Sequence, residues 1–315
     1  MLRFLISALL IAIHASIANA FTLLSIGDWG DEQGLVGSHL NEFVVQESPY
    51  AVLMLGDNFY ERGVTSVKDP LFVNTFQVPF SKLNCKFYVC AGNHDWYGNV
   101  SAEIEYSNVD PARKWIFPSL YYTRTFEQNG VRVFVVFVDT WTLKGGDTVL
   151  SHNAETGEFS LNPDGLDQAV ANGELKPHVA EQMRLEFRNV PDFKPAPNAK
   201  QYDWLESVLS SNDAKSANWV LVCGHFPVHS ASANEHGDTP ELVDALDPIL
   251  RKYNVDAYLS GHGELFLFLL ARFKTGQFFL TWGPISSFAR LCYHLDHILQ
   301  VRPKTFEVYN LHLLN

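Results

Sequence analysis

The chain has 315 residues, 47% of them hydrophobic, and a formal net charge of -12. Its length suits one large domain or two small ones with a sizeable core. The acidic balance argues against nucleic acid or an anionic membrane as the main partner, because both attract clustered Lys and Arg side chains.

Residues 1–20 have the pattern of a removable signal peptide. Arg3 supplies a positive charge, residues 4–13 are mostly apolar, and an A-x-A cleavage pattern ends at Ala20. The apolar stretch is too short to span a bilayer, and a signal anchor is the alternative interpretation. We therefore expect the protein to enter the secretory pathway, where the sequon at Asn99 is a candidate glycosylation site.

Five short apolar runs each end at a glycine and predict buried strands. They span residues 21–27, 50–56, 87–92, 219–224 and 255–261. The residue after each glycine is one that can bind a metal: Asp28, Asp57, Asn93, His225 and His262. The glycines let the backbone turn sharply at the carboxyl edge of the sheet, where ligands of open α/β sheets gather. Since core packing gives no reason for such residues there, we expect them to converge on one point.

Segments between these runs predict helices and one more strand. Residues 35–47 and 202–209 carry apolar side chains at helical spacing. Thr239 and Pro240 predict the N-cap and the first residue of a helix before the fifth run. With a further strand over residues 131–140, this alternation of strands and helices predicts an α/β domain.

Residues 143–200 have a different composition from the rest of the chain. Their Gly, Pro and Asn residues and scattered charges predict a long surface insertion, partly helical over residues 177–187. Two interpretations are open: the insertion lies close to the mouth of the site, or it only decorates the surface.

Tyr60 follows Asp57 by three residues, so one strand end offers both a carboxylate and a phenol. A phenolate suits a hard, highly charged ion such as Fe(III). Carboxylate, phenolate and imidazole on one ion, beside carboxylate, amide and two imidazoles on another, would make a two-metal site with a bridging carboxylate. A buried tyrosine without a metal role is the alternative.

These residues belong to ordered motifs that resemble those of the purple acid phosphatases, and of their tartrate-resistant acid phosphatase branch in particular. The motifs are Gly27-Asp28-Trp29-Gly30, Gly56-Asp57-Asn58-Phe59-Tyr60, Gly92-Asn93-His94-Asp95, Gly224-His225-Phe226-Pro227-Val228 and Gly261-His262. The resemblance runs from residue 21 to about residue 262. It implies the α/β fold of the metallophosphoesterase superfamily: a four-layer sandwich of two β-sheets flanked by helices, with a metal site at the carboxyl ends of strands. Residues 21–315 would form a single domain.

The resemblance also implies a role for each motif residue. One iron, Fe(III), would be held by Asp28, Asp57 and Tyr60. The second metal, Fe(II) or Zn(II), would be held by Asp57 together with Asn93, His225 and His262. The resemblance further implies that two histidines contact the substrate phosphate and take part in catalysis, His94 and His236. For both, a loop histidine without a catalytic role is the alternative.

The chain departs from the family pattern after His262. A histidine is expected two residues later, but the sequence reads Gly263-Glu264. Glu264 offers a carboxylate oxygen, which a hard Fe(III) ion accepts, so we expect it to be a metal ligand. The resemblance is also lost from about residue 263 onward. Two explanations are open: an altered reading frame or alternative exon, or a divergent C-terminal segment.

The expected function is hydrolysis of phosphate monoesters by an acid phosphatase that is secreted, or lysosomal or vacuolar. A metal-activated hydroxide would attack phosphorus at the binuclear centre. One rival is a phosphodiesterase of the same superfamily, against which Tyr60 argues. The other is a catalytically impaired phosphate-binding or interaction protein, because a metal ligand is replaced at Glu264. Substrates would be phosphate monoesters, with neither nucleic acid nor membrane as partner, and the sequence does not indicate the oligomeric state.

Overall fold

The computed structural model describes the backbone of residues 21–30, 49–190, 195–230, 237–262, 267–274, 277–284 and 306–308, and side chains from residue 22 to residue 262 within these ranges. Several predictions fall outside the described residues. These are the signal peptide over residues 1–20, the helix over residues 35–47, and the two site residues His236 and Glu264.

The described strands form two main sheets and a small hairpin. In chain order they are β1 (Phe21–Ile26), β2 (Ala51–Leu55), β3 (Lys86–Cys90), β4 (Trp115–Ile116), β5 (Tyr122–Gln128), β6 (Val131–Phe137), β7 (Leu150–Asn153), β8 (Glu158–Leu161), β9 (Trp219–Cys223), β10 (Ala257–Leu259), β11 (Leu267–Lys274), β12 (Gln277–Pro284) and β13 (Phe306–Val308).

The described helices lie between these strands. They are α1 (Asn93–Trp96), α2 (Val100–Val109), α3 (Thr140–Lys144), α4 (Pro163–Asn172), α5 (Pro177–Phe187), α6 (Ala199–Leu209), α7 (Asn212–Ser216) and α8 (Pro240–Lys252), and a π-helical segment spans Phe72–Gln77.

The first sheet has seven strands in the order β13-β12-β11-β1-β2-β3-β4, and the second has four in the order β10-β9-β6-β5. Strands β1 to β4 are parallel neighbours, as are β6, β9 and β10. All six predicted strands are therefore confirmed. Parallel pairing places the carboxyl ends of β1, β2 and β3 at one edge of the first sheet, and those of β6, β9 and β10 at one edge of the second.

The core lies on both faces of the second sheet, as the alternation along β6 shows. Val133, Val135 and Phe137 pack in one apolar cluster with residues of β1, β2 and β3. Phe134 and Val136 face the other way, into a second cluster with helices α4 to α8. Because both faces are covered, β6 reads as a continuous apolar run instead of alternating with polar residues. The predicted mixed α/β architecture, with sheets flanked by helices, is confirmed.

The predicted helices in the described residues are also present. Thr239 precedes α8 and Pro240 is its first residue, as the sequence predicts. This helix buries Leu242, Leu246 and Leu250 at helical spacing. In the described part of the chain, none of the helices combines the length and apolarity that crossing a bilayer requires.

Candidate metal centre

The residues predicted to converge do lie together, and they come from two sheets. Asp28, Asp57 and Asn93 follow β1, β2 and β3, whereas His225 and His262 follow β9 and β10. The carboxyl edges of the two sheets therefore meet at this cluster. Nitrogen or oxygen atoms of Asp57, His225 and His262 all lie within 4.8 Å of one another.

Three of these side chains are carried by backbone in the left-handed region. The φ angles are 56° at Asp28, 52° at Asp57 and 59° at His262. Asp and His enter this region more readily than most residues, yet it is uncommon for any side chain other than glycine. A left-handed residue shortly after the end of a strand changes the direction of the backbone sharply. Such conformations are retained where the surrounding structure fixes them, and they concentrate at functional sites.

The glycines before these residues act mainly through close approach. Of the five strand-end glycines, only Gly56 has a left-handed φ, 91°. A Cβ built on Gly92 would lie 2.1 Å from Oδ1 of Asp57. A Cβ on Gly56 would lie 2.7 Å from Nδ1 of His225. The sequence analysis assigned the sharp turn to glycine, but at Asp28 and His262 the left-handed residue is the one after the glycine, and at the second strand end both Gly56 and Asp57 are left-handed.

Asp28, Asp57 and Tyr60 form one half of the cluster. The Tyr60 hydroxyl lies 2.9 Å from Oδ2 of Asp57 and 3.3 Å from Oδ1 of Asp28. Burial and the nearby Asp57 and Asp28 carboxylates raise the pKa of Tyr60 well above its usual value. Burial also raises the pKa of Asp28 to about 6. Oxygen atoms of three side chains thus meet where negative charge is disfavoured, which a bound cation would reverse.

His225 lies at the centre of the other half. Its Nδ1 is 2.9 Å from the carbonyl oxygen of Leu55, so this nitrogen carries a hydrogen and donates. The opposite nitrogen, Nε2, lies 3.1 Å from Oδ1 of Asn93, 3.1 Å from Nδ1 of His262 and 3.4 Å from Oδ1 of Asp57. In the neutral ring Nε2 presents a lone pair toward the oxygens of Asn93 and Asp57, which are acceptors, whereas Nδ1 of His262 donates or accepts according to its tautomer. A metal ion or a proton must lie between them.

The electrostatics of His225 agree with this geometry. Burial disfavours its charged form, but the Asp57 and Asp28 carboxylates outweigh burial and raise the pKa of His225. The cluster therefore attracts positive charge. Its donors are carboxylate, phenol, amide and imidazole groups, which are the ligand types that iron and zinc accept. The residues present fit a metal centre.

His94 lies against the same cluster. Its backbone N–H donates to Oδ1 of Asp57 at 3.0 Å, and its ring packs on Tyr60 with centroids 4.5 Å apart. Nδ1 lies 2.6 Å from the carbonyl oxygen of Glu61, so Nδ1 donates there. Nε2 is then left on the side of the carboxylates, 3.9 Å from Oδ2 of Asp57.

A buried polar layer that sequence analysis missed supports the strand ends. Asp95 accepts backbone N–H groups of Asn58 at 2.9 Å and Gly92 at 2.8 Å. The Asn58 side chain donates to the carbonyl oxygen of Cys90 at 3.0 Å and accepts from the Trp29 indole at 3.1 Å. The signal was present, because Asn58 and Asp95 occupy their own motifs, but partners 37 residues apart cannot be paired from one sequence.

A pocket of about 380 Å³ opens beside Asn93 and His262. Residues of the 143–200 segment line much of it, including Lys144 and Asp147. The Lys144 ammonium lies 4.2 Å from the centroid of the Phe226 ring, and burial lowers its pKa. Of the two interpretations of this segment, its position favours the one that places it at the mouth of the site.

Two abutting sheet edges and a cluster of carboxylate, phenol, amide and imidazole groups at strand ends are features that a comparison with known families can test. The family model for calcineurin-like phosphoesterases matches residues 21–263. The chain belongs to that family. The resemblance found in the motifs is thereby confirmed.

Individual relatives include acid phosphatases. Tartrate-resistant acid phosphatase type 5 of Oryctolagus cuniculus is 35% identical over 76% of this chain and 65% of its own length. The Homo sapiens protein of the same name is 36% identical over 67% of this chain and 54% of its own length. The chain therefore spans less than two thirds of both relatives. Purple acid phosphatase 7 of Arabidopsis thaliana is 29% identical, covering 92% of this chain and 76% of the relative.

The fold has a counterpart among solved structures. A structure described as GAP50, the anchor in the inner membrane complex of Plasmodium, superposes with a TM-score of 0.60 and 18% identity, covering 91% of each chain. At this identity the likeness concerns the fold alone.

The close approach at Gly92 predicts the outcome of one substitution. Its φ of -107° suits alanine, so the cost of Gly92→Ala comes from the contact with Asp57. We expect the free energy of unfolding to fall by about 3 kcal/mol, measured by urea denaturation. Gly130→Ala is the control, because its Cβ meets nothing within 4 Å and only its left-handed φ costs about 1 kcal/mol. Equal losses in the two variants would contradict the steric argument.

Proposed function

We propose that the protein is an acid phosphatase that hydrolyses phosphate monoesters at a binuclear centre of Fe(III) with Fe(II) or Zn(II). The observation that carries this proposal is the convergence of lone-pair donors around Nε2 of His225, in a chain of the calcineurin-like phosphoesterase family. Such an arrangement is unfavourable without a cation and is what a metal centre requires.

Each half of the cluster would hold one ion. Asp28, Asp57 and Tyr60 would bind the iron, with Glu264 as a further ligand. Asn93, His225 and His262 would bind the second metal together with Asp57, whose two oxygens face the two halves. When bound, the ions would supply positive charge for the phosphate oxygens and lower the pKa of water, so that hydroxide is available to attack phosphorus.

His94 would donate a proton to the leaving group. Its Nδ1 is committed to the carbonyl oxygen of Glu61, so a protonated ring presents Nε2–H on the side of the cluster. From there it would donate to the departing alkoxide. His236 would be the second histidine to contact the phosphate. The pocket beside Asn93 and His262 would receive the alcohol part of the ester.

The similarity to acid phosphatases and the leader pattern of residues 1–20 support the proposal that the protein is secreted, or lysosomal or vacuolar. The substrates would be phosphate monoesters, without nucleic acid or a membrane as partner. One observation favours a second candidate function: the sequence has Glu264 where the family pattern has histidine. A weakly held iron would leave a phosphate-binding or interaction protein with little turnover.

Asp57→Asn tests the metal centre, because Asp57 is the residue shared by both halves. We expect metal affinity to fall by more than about 100-fold, and hydrolysis of an aryl phosphate to fall with it. Metal content is measured by elemental analysis and turnover by release of the aryl alcohol. Asp110→Asn is the control, since Asp110 is equally buried but binds backbone N–H groups before β4.

The outcomes separate the two candidate functions. Two equivalents of metal with turnover in the unsubstituted protein support the phosphatase. One equivalent or none, without turnover, favours the binding protein. Unchanged metal content in Asp57→Asn would rule out Asp57 as a bridging ligand.

Tyr60→Phe tests the iron ligand spectroscopically. A phenolate bound to Fe(III) gives a visible charge-transfer band, so we expect the iron-loaded protein to be purple or pink and the variant to lose that absorption. Iron content and the absorption spectrum are measured on the same samples. Should the iron-containing variant keep the band, Tyr60 is not the ligand that produces it.

His94→Ala tests the proton donor. We expect kcat to fall by about 10²- to 10⁴-fold, with metal content unchanged, because the lost group acts on the leaving alkoxide. The exposed residue His178 on α5 provides the control variant His178→Ala. If His94→Ala loses its metal in proportion to its activity, His94 supports the centre instead of taking part in proton transfer.

A further inference from the structure

The side-chain amide of Asn93 has two ends, and only Oδ1 has lone pairs for a metal. Which end faces the cluster depends on the partner of the other end. Here Nδ2 donates to the hydroxyl oxygen of Tyr97 at 3.1 Å, which turns Oδ1 toward Nε2 of His225. Tyr97 therefore determines the orientation of this ligand.

The Tyr97 hydroxyl is itself fixed in one direction. Its hydrogen is donated to Oδ2 of Asp147 at 2.8 Å, and a carboxylate can only accept. The hydroxyl oxygen is then free to accept from Asn93. The three side chains thus form a chain of hydrogen bonds, in which Asn93 donates to Tyr97 and Tyr97 donates to Asp147.

Asp147 is held by further donors on both of its oxygens. Oδ2 also accepts from the Trp141 indole at 2.9 Å. Oδ1 accepts from the backbone N–H groups of Val149 and Leu150, each at 2.8 Å. Because these side-chain contacts of Asp147 all come from donors, they favour a carboxylate, and an amide of the same shape would place its NH2 group against a donor.

We propose that Tyr97 and Asp147 are positioning residues that orient Asn93 for the second metal, so that the 143–200 segment completes the metal centre. The inference rests on the proposed function in taking Asn93 as a ligand. Sequence analysis gave no role to Tyr97 or Asp147. Neither side chain is a metal ligand in the proposed arrangement, and both act through Asn93.

The first test uses the full-length, iron-loaded protein with its second metal removed, titrated with Zn²⁺. Tyr97→Phe keeps the ring contact with His94, whose centroid is 5.2 Å away, and removes only the hydroxyl. We expect the Kd for Zn²⁺ to rise about 10-fold. Tyr122→Phe is the matched control, a buried phenol whose hydroxyl donates to the backbone oxygen of Val89, and its Kd should match the unsubstituted protein.

The second test reverses the direction of these hydrogen bonds. In Asp147→Asn, Oδ1 retains the two backbone N–H groups, so Nδ2 takes the place of Oδ2, where it donates to Tyr97 and leaves the Trp141 indole without this acceptor. The Tyr97 hydrogen then turns to Asn93 and favours the flipped amide, with Nδ2 toward His225. We expect a rise in the Kd for Zn²⁺ of about 10- to 100-fold.

A double-variant cycle distinguishes positioning from general structural damage. Without the phenol, Asp147 has no route to Asn93, so Asp147→Asn should not raise the Kd further in the Tyr97→Phe background. Additive increases would overturn the proposal, as would a Kd for Tyr97→Phe within twofold of the unsubstituted protein.

Asn93→Ala separates failure of this inference from failure of the proposed function. If Asn93→Ala weakens Zn²⁺ binding but Tyr97→Phe does not, only the positioning role is wrong. If Asn93→Ala leaves the Kd unchanged, Asn93 is not a ligand, and both the proposed ligand set and the inference drawn from it are overturned.

Discussion

The structure depends on holding electron-rich atoms from two sheets within a few ångströms of one another. Left alone, the carboxylates of Asp28 and Asp57 repel, and the lone pair of His225 faces other acceptors. Backbone donors offset part of this cost: His94 N–H binds Asp57, and His262 N–H binds both oxygens of Asp28, at 3.1 and 2.8 Å. A cation removes the remaining repulsion. The site is therefore preorganised for metal at the expense of the stability of the metal-free protein.

The rest of the fold keeps these atoms from moving apart. Trp29 is fully buried among aromatic rings, and its indole holds Asn58, whose amide and backbone bind Asp95. This ties the loop after β2 to helix α1, which carries Asn93 and His94. A buried hydrogen-bonded polar cluster of this kind favours one arrangement, because a displacement breaks hydrogen bonds that water cannot replace. The same rigidity explains how three strand ends sustain left-handed backbone outside glycine.

Much of the fold and part of the site could be predicted from sequence. Five apolar runs ending in glycine and the further run over residues 131–140 predicted six strands, and Asp57, Asn93 and His225 were identified at the ends of three of them. The sequence did not show that these residues come from two sheets, because strand pairing is a long-range property. Nor could it assign left-handed φ to Asp28 instead of Gly27, since both residues are compatible with a sharp turn. The orientation of the Asn93 side-chain amide could not be predicted either, because it depends on Asp147, 54 positions away along the chain.

Two of the contacts between the described part of the 143–200 segment and the surroundings of the centre differ in strength. At one, Lys176 binds Glu61 with its ammonium and its backbone N–H, at 2.6 and 2.7 Å, and the Glu61 carbonyl in turn binds His94. This ion pair is partly exposed, so solvent and salt weaken it. At the other, the hydrogen bonds from Asp147 to Asn93 pass through the buried Tyr97, although Asp147 itself is only partly buried, so solvent weakens them less. Changes in the segment should therefore reach Asn93, the proposed ligand of the second metal, mainly through Asp147. The ring of His94 is held by the backbone carbonyl of Glu61, which a loss of the Lys176 side chain leaves in place.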